Sequence, residues 1–331
     1  MNILVIGNNF SKYDEILEFE FKQMGDSVDR IVYRGLLPNR SKFHSKSVSF
    51  IFYWIATLIS YPSRVIISFK LFFLLQKYDF ILCVNGSFLI YEIIKYSKYS
   101  NKIFIWLMDP ICKFPRSLIF NKISQVFSYS EHDSRKYGLR FLPLFSALNV
   151  RSNFSLNDNS ANVKKQFSIA FIGAIDLYRL FMLEELARRS KPNSKSIFIG
   201  GVFGKLSQAK FLYKNSNYFN NLKNLLHIRR FSFDEINSIY SSSEYIFNYN
   251  VGDHSGASMR FFEALELDLG QLCDSVVVKS RYCNLVLKVC QTNTIFGFPV
   301  YKSSLDLSDI KNAVSVRNRL LHLKKVYLRL N

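Results

Sequence analysis

Two stretches of this chain begin in the same way, with an apolar run that ends at a glycine and is followed by a helical pattern. In the first half the run is Asn2 to Ile6, before Gly7, and in the second half it is Phe167 to Ile172, before Gly173. A strand, a glycine turn, a helix and a further strand form a parallel βαβ unit. Because such runs alternate with helical patterns through both halves, the sequence predicts an α/β protein with two Rossmann-like, doubly wound domains that face a cleft.

The domain boundaries follow from length and composition. A chain of 331 residues is long enough for two domains of ordinary size. Residues 1–150 would form the first domain, and residues 151–166, which are poor in large apolar side chains and rich in Asn, Ser and Lys, would form a linker. The second domain would take residues 167–306. Residues 307–331 read as a basic helix, for which packing back on the first domain is one option.

The formal net charge of +19 favours an anionic partner, and nucleic acid, an anionic membrane surface and phosphorylated substrates compete for that role. The basic residues are spread along the chain. There is no dense Lys/Arg arm and no helix-turn-helix, RNA-recognition or zinc-finger signature. The sequence therefore disfavours nucleic acid as the partner.

Two apolar stretches, Ser47 to Ser60 and Val65 to Leu75, have basic residues around them. The first is shorter than the ~20 apolar residues that a membrane-spanning helix needs. A buried crossover helix is the preferred interpretation. An interfacial helix on an anionic bilayer follows closely, because basic residues with Phe, Tyr and Trp suit that surface.

The five cysteines are odd in number, widely spaced and without a CxxC pair. This usage favours neither a disulfide framework nor a structural zinc site, and it suits a reducing cytosol. The N-terminal residues lack the features of a signal peptide. The sequence therefore predicts a cytoplasmic protein, with peripheral attachment to the inner face of the cell membrane left open, and neither a bound metal nor a cofactor.

The loop within Val251 to Leu265 is polar, contains glycine and runs straight into an apolar helical pattern. Ser255 or Ser258 can cap that helix, and Gly256 lets the backbone approach a ligand closely. The N–H groups of the first helical turn and the positive end of the helix dipole can then bind an anion.

Three side chains of this helix share one face: Met259, Arg260 and Glu263. Such a loop can hold phosphates while the carboxylate accepts hydrogen bonds from sugar hydroxyls. The competing interpretation is a capped amphipathic helix with a surface Glu and Arg.

In a doubly wound sheet, ligands bind beyond the carboxyl ends of the strands. In the first half this edge would carry Asn8, Asn9, Asn85, Asp109 and Glu131. Asp109 follows a strongly apolar strand and precedes Pro110. It could act as a general base toward a hydroxyl, or cap the next turn. His132 is an alternative acid or base.

In the second half, residues at strand ends and helix starts would together form an anion-binding edge of the sheet. The cleft between the two halves is the natural ligand site. The edge consists of Gly173, Arg179, Arg230, Ser255, Gly256, Arg260 and Glu263.

Three segments together resemble one known family. They are Val126 to Leu144 (VFSYSEHDSRKYGLRFLPL), Phe171 to Arg179 (FIGAIDLYR) and Phe231 to Leu265, which ends in SGASMRFFEAL. The chain resembles the GT-B glycosyltransferases, most closely the spore-maturation-protein-like and the lipopolysaccharide or capsule glycosyltransferases of bacteria. The third segment is the most specific of the three.

The resemblance implies a nucleotide-sugar donor in the second domain and a glycan or lipid-linked acceptor in the first, in surface polysaccharide or glycolipid synthesis. Glu263 would accept hydrogen bonds from the ribose, and residues Ser255 to Met259 would bind the diphosphate, with Arg179 or Arg260 as charge partner. The loop Arg229 to Phe231 would lie beside the base. The implied donor-binding set is Gly173, Arg179, Arg230, Phe231, Ser255, Gly256, Ser258, Met259, Arg260 and Glu263.

Two departures from the family leave the stereochemistry open. Ser255 stands where retaining relatives carry a second Glu, and Asp268 stands where they carry a Gly. An inverting enzyme would need a base, for which Asp109 comes first, with Asp14 and His132 behind it. A retained fold without chemistry, as a nucleotide-sugar- or glycan-binding protein, is the alternative function.

Overall fold

The computed structural model describes residues 1–7, 13–32, 73, 76–84, 101–111, 125–148, 165–190, 197–203, 206–249, 257–273, 289–295 and 297–330. The chain divides into two compact units. The first comprises Met1–Leu144 with Val316–Asn331, and the second comprises Phe145–Ser315.

The first unit is built on a parallel sheet. Its elements are β1 (Asn2–Gly7), α1 (Tyr13–Gln23), β2 (Ser27–Val32), β3 (Phe80–Val84), β4 (Ile103–Leu107), β5 (Val126–Ser128), α2 (Glu131–Tyr137) and β6 (Arg140–Phe141). The strand order is β2-β1-β3-β4-β5-β6. Every residue of β3 and β4 is buried, as expected for parallel strands that are covered on both faces.

The second unit repeats this plan. Its elements are β7 (Phe167–Ile175), α3 (Leu177–Arg189), β8 (Ile197–Phe203), α4 (Leu206–Lys214), α5 (Asn220–Lys223), β9 (Leu226–Ile228), α6 (Phe233–Ser241), β10 (Ser243–Asn248), α7 (Met259–Glu266), β11 (Gly270–Cys273), β12 (Val289–Ile295), β13 (Phe298–Ser303) and α8 (Leu307–Val314). The order is β12-β13-β11-β10-β7-β8-β9. The five neighbouring strands β11, β10, β7, β8 and β9 are parallel, whereas β13 is antiparallel to both β11 and β12. The chain reverses its direction of winding between β7 and β10, which is where doubly wound sheets bind ligands.

Two adjacent glycines bring β7 and β8 close together at this edge. Gly173 pairs with Gly201 in the parallel register. A Cβ atom on Gly201 would lie 2.0 Å from the carbonyl oxygen of Gly173, a distance that no side chain tolerates. The two strands can therefore run side by side to their carboxyl ends only because position 201 is glycine.

The sequence predicts one strand over Thr294–Val300, and the structure corrects this. The segment is the turn of a hairpin, with β12 ending at Ile295 and β13 beginning at Phe298. Gly297 adopts a left-handed conformation with φ of 76°, which reverses the chain. The alternation of apolar residues continues through the turn, and it conceals the reversal.

The sequence also predicts one helix over Leu307–Leu330, and this prediction is wrong. The helix is broken at Ser315, whose backbone is extended with φ of −65° and ψ of 122°. The segment before the break, α8, packs against α7 of the second unit. The segment after it, α9 (Val316–Leu330), belongs to the first unit.

Helix α9 is attached to the first unit by an ion pair and by aromatic contacts. The ammonium of Lys324 donates to both carboxylate oxygens of the buried Asp26, at 2.9 and 2.8 Å. The Tyr327 ring lies edge-on to Phe80 and Phe104, with centroid distances of 5.7 and 6.4 Å. The C-terminal helix is therefore part of this core.

Candidate functional site

The start of α7 lies beside the carboxyl end of β7, because the Arg260 side chain in its first turn lies against Gly173. Ser258 occupies the N-cap position, as predicted, but its side chain does not cap the helix. Its hydroxyl donates instead to Oδ1 of Asn248 at 2.8 Å. No side chain of the described residues caps the first turn of α7, so its N–H groups can donate hydrogen bonds to an anion.

A buried chain of amides fixes this helix start on the sheet. Nδ2 of Asn248 donates to Oε1 of Gln271 at 3.2 Å, and Nε2 of Gln271 donates to the carbonyl of Phe261 at 3.2 Å. Asn248 is fully buried and Gln271 nearly so. Because buried amides are costly unless they are paired, this network holds β10, β11 and α7 in one arrangement.

Arg260 lies at the carboxyl end of β7. Its Cζ atom is 5.2 Å from the centroid of the Phe171 ring, and a Cβ atom on Gly173 would lie 3.0 Å from its Nη2. Gly173 thus makes room for the guanidinium. Nη1 of Arg260 is buried and has no hydrogen-bond partner among the described residues. A buried charged donor without a partner is expensive, and an anionic ligand would satisfy it.

Glu263 lies one turn further along α7 and is 6% exposed. Its burial raises the pKa of the carboxyl from 4.5 to about 7, and the nearby Arg260 opposes this shift. In the part of the chain that the structure describes, no group donates a hydrogen bond to it. A carboxylate in such surroundings is typical of a binding or catalytic site.

Arg179 binds backbone carbonyls near the carboxyl ends of β7 and β10. Its Nε donates to the carbonyl of Tyr249 at 3.1 Å, and its Nη1 donates to the carbonyl of Ala174 at 2.9 Å. It also pairs with Asp176, whose side chain caps α3. The guanidinium therefore connects the segments that follow β7 and β10, and Arg260 is better placed to face an anion.

The loop after β9 presents an aromatic ring and two arginines. Phe231 packs against Gly200, where a Cβ atom would lie 2.6 Å from the ring. The guanidinium of Arg229 stacks on that ring at 4.0 Å and pairs with Glu235 at 2.8 Å. Arg230 is exposed. The sequence also predicts that Ser232 and Glu235 form a capping box, and the structure confirms this box at the start of α6.

In the first unit, Asp109 and His132 follow neighbouring parallel strands, β4 and β5, and so lie at the same edge of the sheet. Asp109 is half-buried and His132 is exposed. The carboxylate of Asp133, which the sequence did not single out, accepts a hydrogen bond from the backbone N–H of Ile111 at 3.0 Å. Asp133 thereby fixes the chain just after Asp109.

Asp14 is buried at the start of α1, under Gly7. Its Oδ2 pairs with Nη1 of Arg30 at 3.2 Å, and Arg30 also binds Glu18, Nε to Oε2, at 2.7 Å. Asp14 is buried in this ion pair, whereas Asp109 is half-buried and His132 is exposed, so a substrate can reach the latter two more easily.

Several predictions fall outside the described residues. These are the roles of Asn8, Asn9, Asn85, Ser255 and Gly256 and the helix at Ser47–Leu75. Within the described ranges, Cys83 and Cys273 are buried and form no disulfide, and no group of acidic, His and Cys side chains could hold a metal ion. No helix there is long and apolar enough to cross a bilayer.

Sequence reasoning missed the amide pair of Asn248 and Gln271. A signal was present, because Asn248 directly follows the apolar run Tyr245–Phe247 of β10, and Gln271 is the one polar side chain of β11. A polar residue buried in a parallel sheet requires a partner, and this would have directed attention to the helix start that the pair fixes.

No protein-family model and no curated protein matches this sequence. Among solved structures, it resembles a glycosyltransferase from Rickettsia africae ESF-5, with 11% identity, a TM-score of 0.60 and coverage of 99% of this chain and 98% of that one. It also resembles AviGT4, a glycosyltransferase involved in avilamycin A biosynthesis (9% identity, TM-score 0.58, coverage of 100% and 98%). Anabaena HepE in complex with UDP-glucose is a third relative in structure (11% identity, TM-score 0.54, coverage of 84% and 81%).

At these identities the likeness defines the fold. The chain has the GT-B fold with two Rossmann-like units, and the predicted fold class is confirmed. The narrower resemblance to spore-maturation-protein-like and lipopolysaccharide or capsule enzymes stays a prediction.

Proposed function

We propose that the protein is a glycosyltransferase that moves a sugar from a nucleotide-sugar donor to a hydroxyl acceptor. The observation that carries the proposal is the pairing of Arg260 and Glu263 on α7, beside the carboxyl end of β7. Arg260 is half-buried, and its buried Nη1 has no hydrogen-bond partner among the described residues, while the buried carboxyl of Glu263 lies one helical turn away. That combination fits a ligand with a diphosphate and neighbouring hydroxyl groups.

The chemistry can be assigned to individual groups. The first turn of α7 and the Arg260 guanidinium would stabilise the negative charge that develops on the leaving diphosphate. Glu263 would accept hydrogen bonds from the ribose. Because a guanidinium and a helix terminus can supply this stabilisation, the proposal needs no metal ion. The Arg229–Phe231 loop would contact the base.

The fold of the neighbours supports this assignment. The HepE structure contains UDP-glucose, and an α-glucosyltransferase of similar fold was solved with UDP, at 12% identity and a TM-score of 0.53 over 100% of this chain. We extend the donor class, a nucleotide sugar, to this protein. The hexosyl group and a glycan or lipid-linked acceptor of the bacterial surface are the narrower part of the proposal.

We assign the acceptor to the first unit. If the reaction inverts the anomeric centre, Asp109 is the proposed base, since it is half-buried at a strand end and Asp133 fixes its segment. His132 is second and the ion-paired Asp14 third. If the reaction retains the configuration, these residues orient the acceptor.

A donor screen tests the proposal. The full chain is heated with a panel of nucleoside diphosphates and nucleotide sugars, and the ligand that raises Tm is then incubated with glycan and lipid-linked acceptors. Mass spectrometry should show an acceptor heavier by one sugar residue. Arg260→Met should abolish the Tm shift, and Arg329→Met, at an exposed position on α9, should retain it.

Two outcomes separate the alternatives. A Tm shift without transfer to any acceptor would favour a non-catalytic nucleotide-sugar-binding protein. A panel without any Tm shift, hydrolysis or transfer would contradict both functions.

A further inference from the structure

The outer face of α3, α4 and α5 carries large aromatic side chains in water. Tyr213 is 78% exposed, Tyr218 is 64% exposed and Phe181 is 42% exposed. The rings of Phe181 and Tyr218 are in contact, with centroids 5.7 Å apart, and Phe181 also contacts Phe211 at 6.2 Å. Phe181, Phe211 and Tyr218 thus form one group of rings, and Tyr213 is exposed on α4, the helix that carries Phe211. Exposed apolar side chains of this kind mark interaction sites.

The segment that carries these rings is basic. Between Glu185 and Asp234 the sequence contains ten lysines and arginines and no carboxylate. Lys210, Lys214 and Lys223 on α4 and α5 are exposed, and none of them pairs with a carboxylate of the described residues. Arg188 is nearby, but it is neutralised by Glu185 at 2.7 Å. The three lysines therefore project uncompensated charge beside the exposed rings.

This combination selects among anionic partners. Basic side chains around exposed Tyr, Phe and Leu suit a bilayer surface, where the rings enter the headgroup region and the ammonium groups bind lipid phosphates. Leu177 extends the aromatic row on α3 and is 43% exposed. A leucine has no π-face on which a base could stack, so a nucleic acid would leave it uncovered.

We infer that the face formed by Phe181, Tyr213 and Tyr218 with Lys210, Lys214 and Lys223 docks the second unit on an anionic phospholipid bilayer. This inference is independent of sugar transfer, because it rests on a surface remote in sequence from α7. It also differs from the helix predicted at Ser47–Leu75, since it assigns the membrane contact to the second unit.

Vesicle co-sedimentation of the full chain tests it. Vesicles of phosphatidylcholine alone should not bind the protein, and vesicles of equal parts phosphatidylcholine and phosphatidylglycerol should. A lysine near an anionic surface contributes about 1 kcal/mol, so Lys210→Gln with Lys214→Gln should lower the partition coefficient about 30-fold. Tyr213→Ser with Tyr218→Ser should lower it as well, at unchanged circular dichroism.

The matched controls are Lys311→Gln with Lys325→Gln, at exposed positions elsewhere, and Leu328→Ser, at a 65% exposed leucine of α9. Retained binding in both controls supports the proposal. Equal losses in test and control variants would overturn it, because binding would then follow net charge alone. The proposal would also be overturned if the parent chain bound neither kind of vesicle. It would equally be overturned if the parent chain bound RNA or DNA in place of vesicles and the lysine variant lost that binding.

Discussion

Replacing Glu263 with glutamine should make the second unit more stable at neutral and alkaline pH while weakening its binding of a nucleotide sugar. The two effects have one cause. Glu263 is buried without a described hydrogen-bond donor, so its charge costs free energy in the folded chain. The proposed ribose hydroxyls would compensate that cost only when the donor is bound. Glutamine keeps the shape of the side chain and removes the charge.

The magnitude and its pH range follow from the raised pKa. In the unfolded chain the carboxyl titrates near 4.5, and in the folded chain near 7. Because the folded state binds this proton more tightly, the free energy of unfolding falls as pH rises from 4.5 to 7 and levels off above about 7. At about 1.4 kcal/mol per pKa unit, the full penalty is about 3 kcal/mol. Glu263→Gln removes it, so the variant should gain about 3 kcal/mol at pH 8 and almost nothing at pH 4.

Urea unfolding at pH 4 and pH 8 measures the difference. Circular dichroism reports both units, whereas tryptophan fluorescence reports only the first, because Trp54 and Trp106 both precede the boundary at residue 145. The circular dichroism midpoint at pH 8 should rise by about 1 M urea in the variant. Where the two units unfold separately, the fluorescence midpoint should not move.

The reasoning is refuted if parent chain and variant show the same pH dependence, or if glutamine destabilises the chain at pH 8. In the second case Glu263 would be forming stabilising contacts in the unliganded protein. A gain in stability together with undiminished nucleotide binding would support the burial argument and contradict the role of Glu263 in the site.

Three further outcomes are expected. Gly201→Ala should destabilise the second unit by more than 3 kcal/mol in urea unfolding, because its Cβ atom would meet the carbonyl of Gly173 at 2.0 Å. The control Gly138→Ala, at an open left-handed position, should cost only about 1 kcal/mol. Equal losses of stability in the two variants would contradict the packing argument. Gln271→Leu should cost about 1–3 kcal/mol by leaving buried partners unpaired and should also raise the Kd for nucleotide; an unchanged Kd would limit its role to stability. Asp109→Asn should lower kcat at unchanged donor Kd if the reaction inverts configuration, and a parent-like kcat in an inverting reaction would exclude Asp109 as the base.

Much of the fold could be predicted because it depends on local patterns. The sequence predicts a strand over Leu226–Ile228 and a helix over Phe233–Ser241, and β9 and α6 have these bounds. Local capping chemistry was equally readable. Ser232 and Glu235 form the expected capping box. The sequence predicts that the helix beginning at Glu131 ends at Gly138, and α2 does end there, with a φ of 64° at Gly138.

The remaining features depend on contacts that periodicity does not contain. The turn at Gly297 and the break at Ser315 lie inside segments whose apolar spacing continues without interruption. The two backbone carbonyls that Arg179 binds meet it only in the folded chain, and its predicted role as a charge partner of the diphosphate stays a prediction. The sequence does place Arg260 and Glu263 on one helix. It cannot show that Nη1 of Arg260 and the carboxyl of Glu263 become buried, because burial arises from tertiary packing.

The central claim is that the start of α7 binds the diphosphate of a nucleotide sugar. Titration calorimetry of the full chain with the nucleoside diphosphate chosen by the donor screen tests it most directly. The parent chain should bind with one site per chain, Arg260→Met should lose at least tenfold in affinity, and the exposed control Arg329→Met should bind like the parent chain. Binding that survives Arg260→Met unchanged would contradict the assignment of the donor site to this helix.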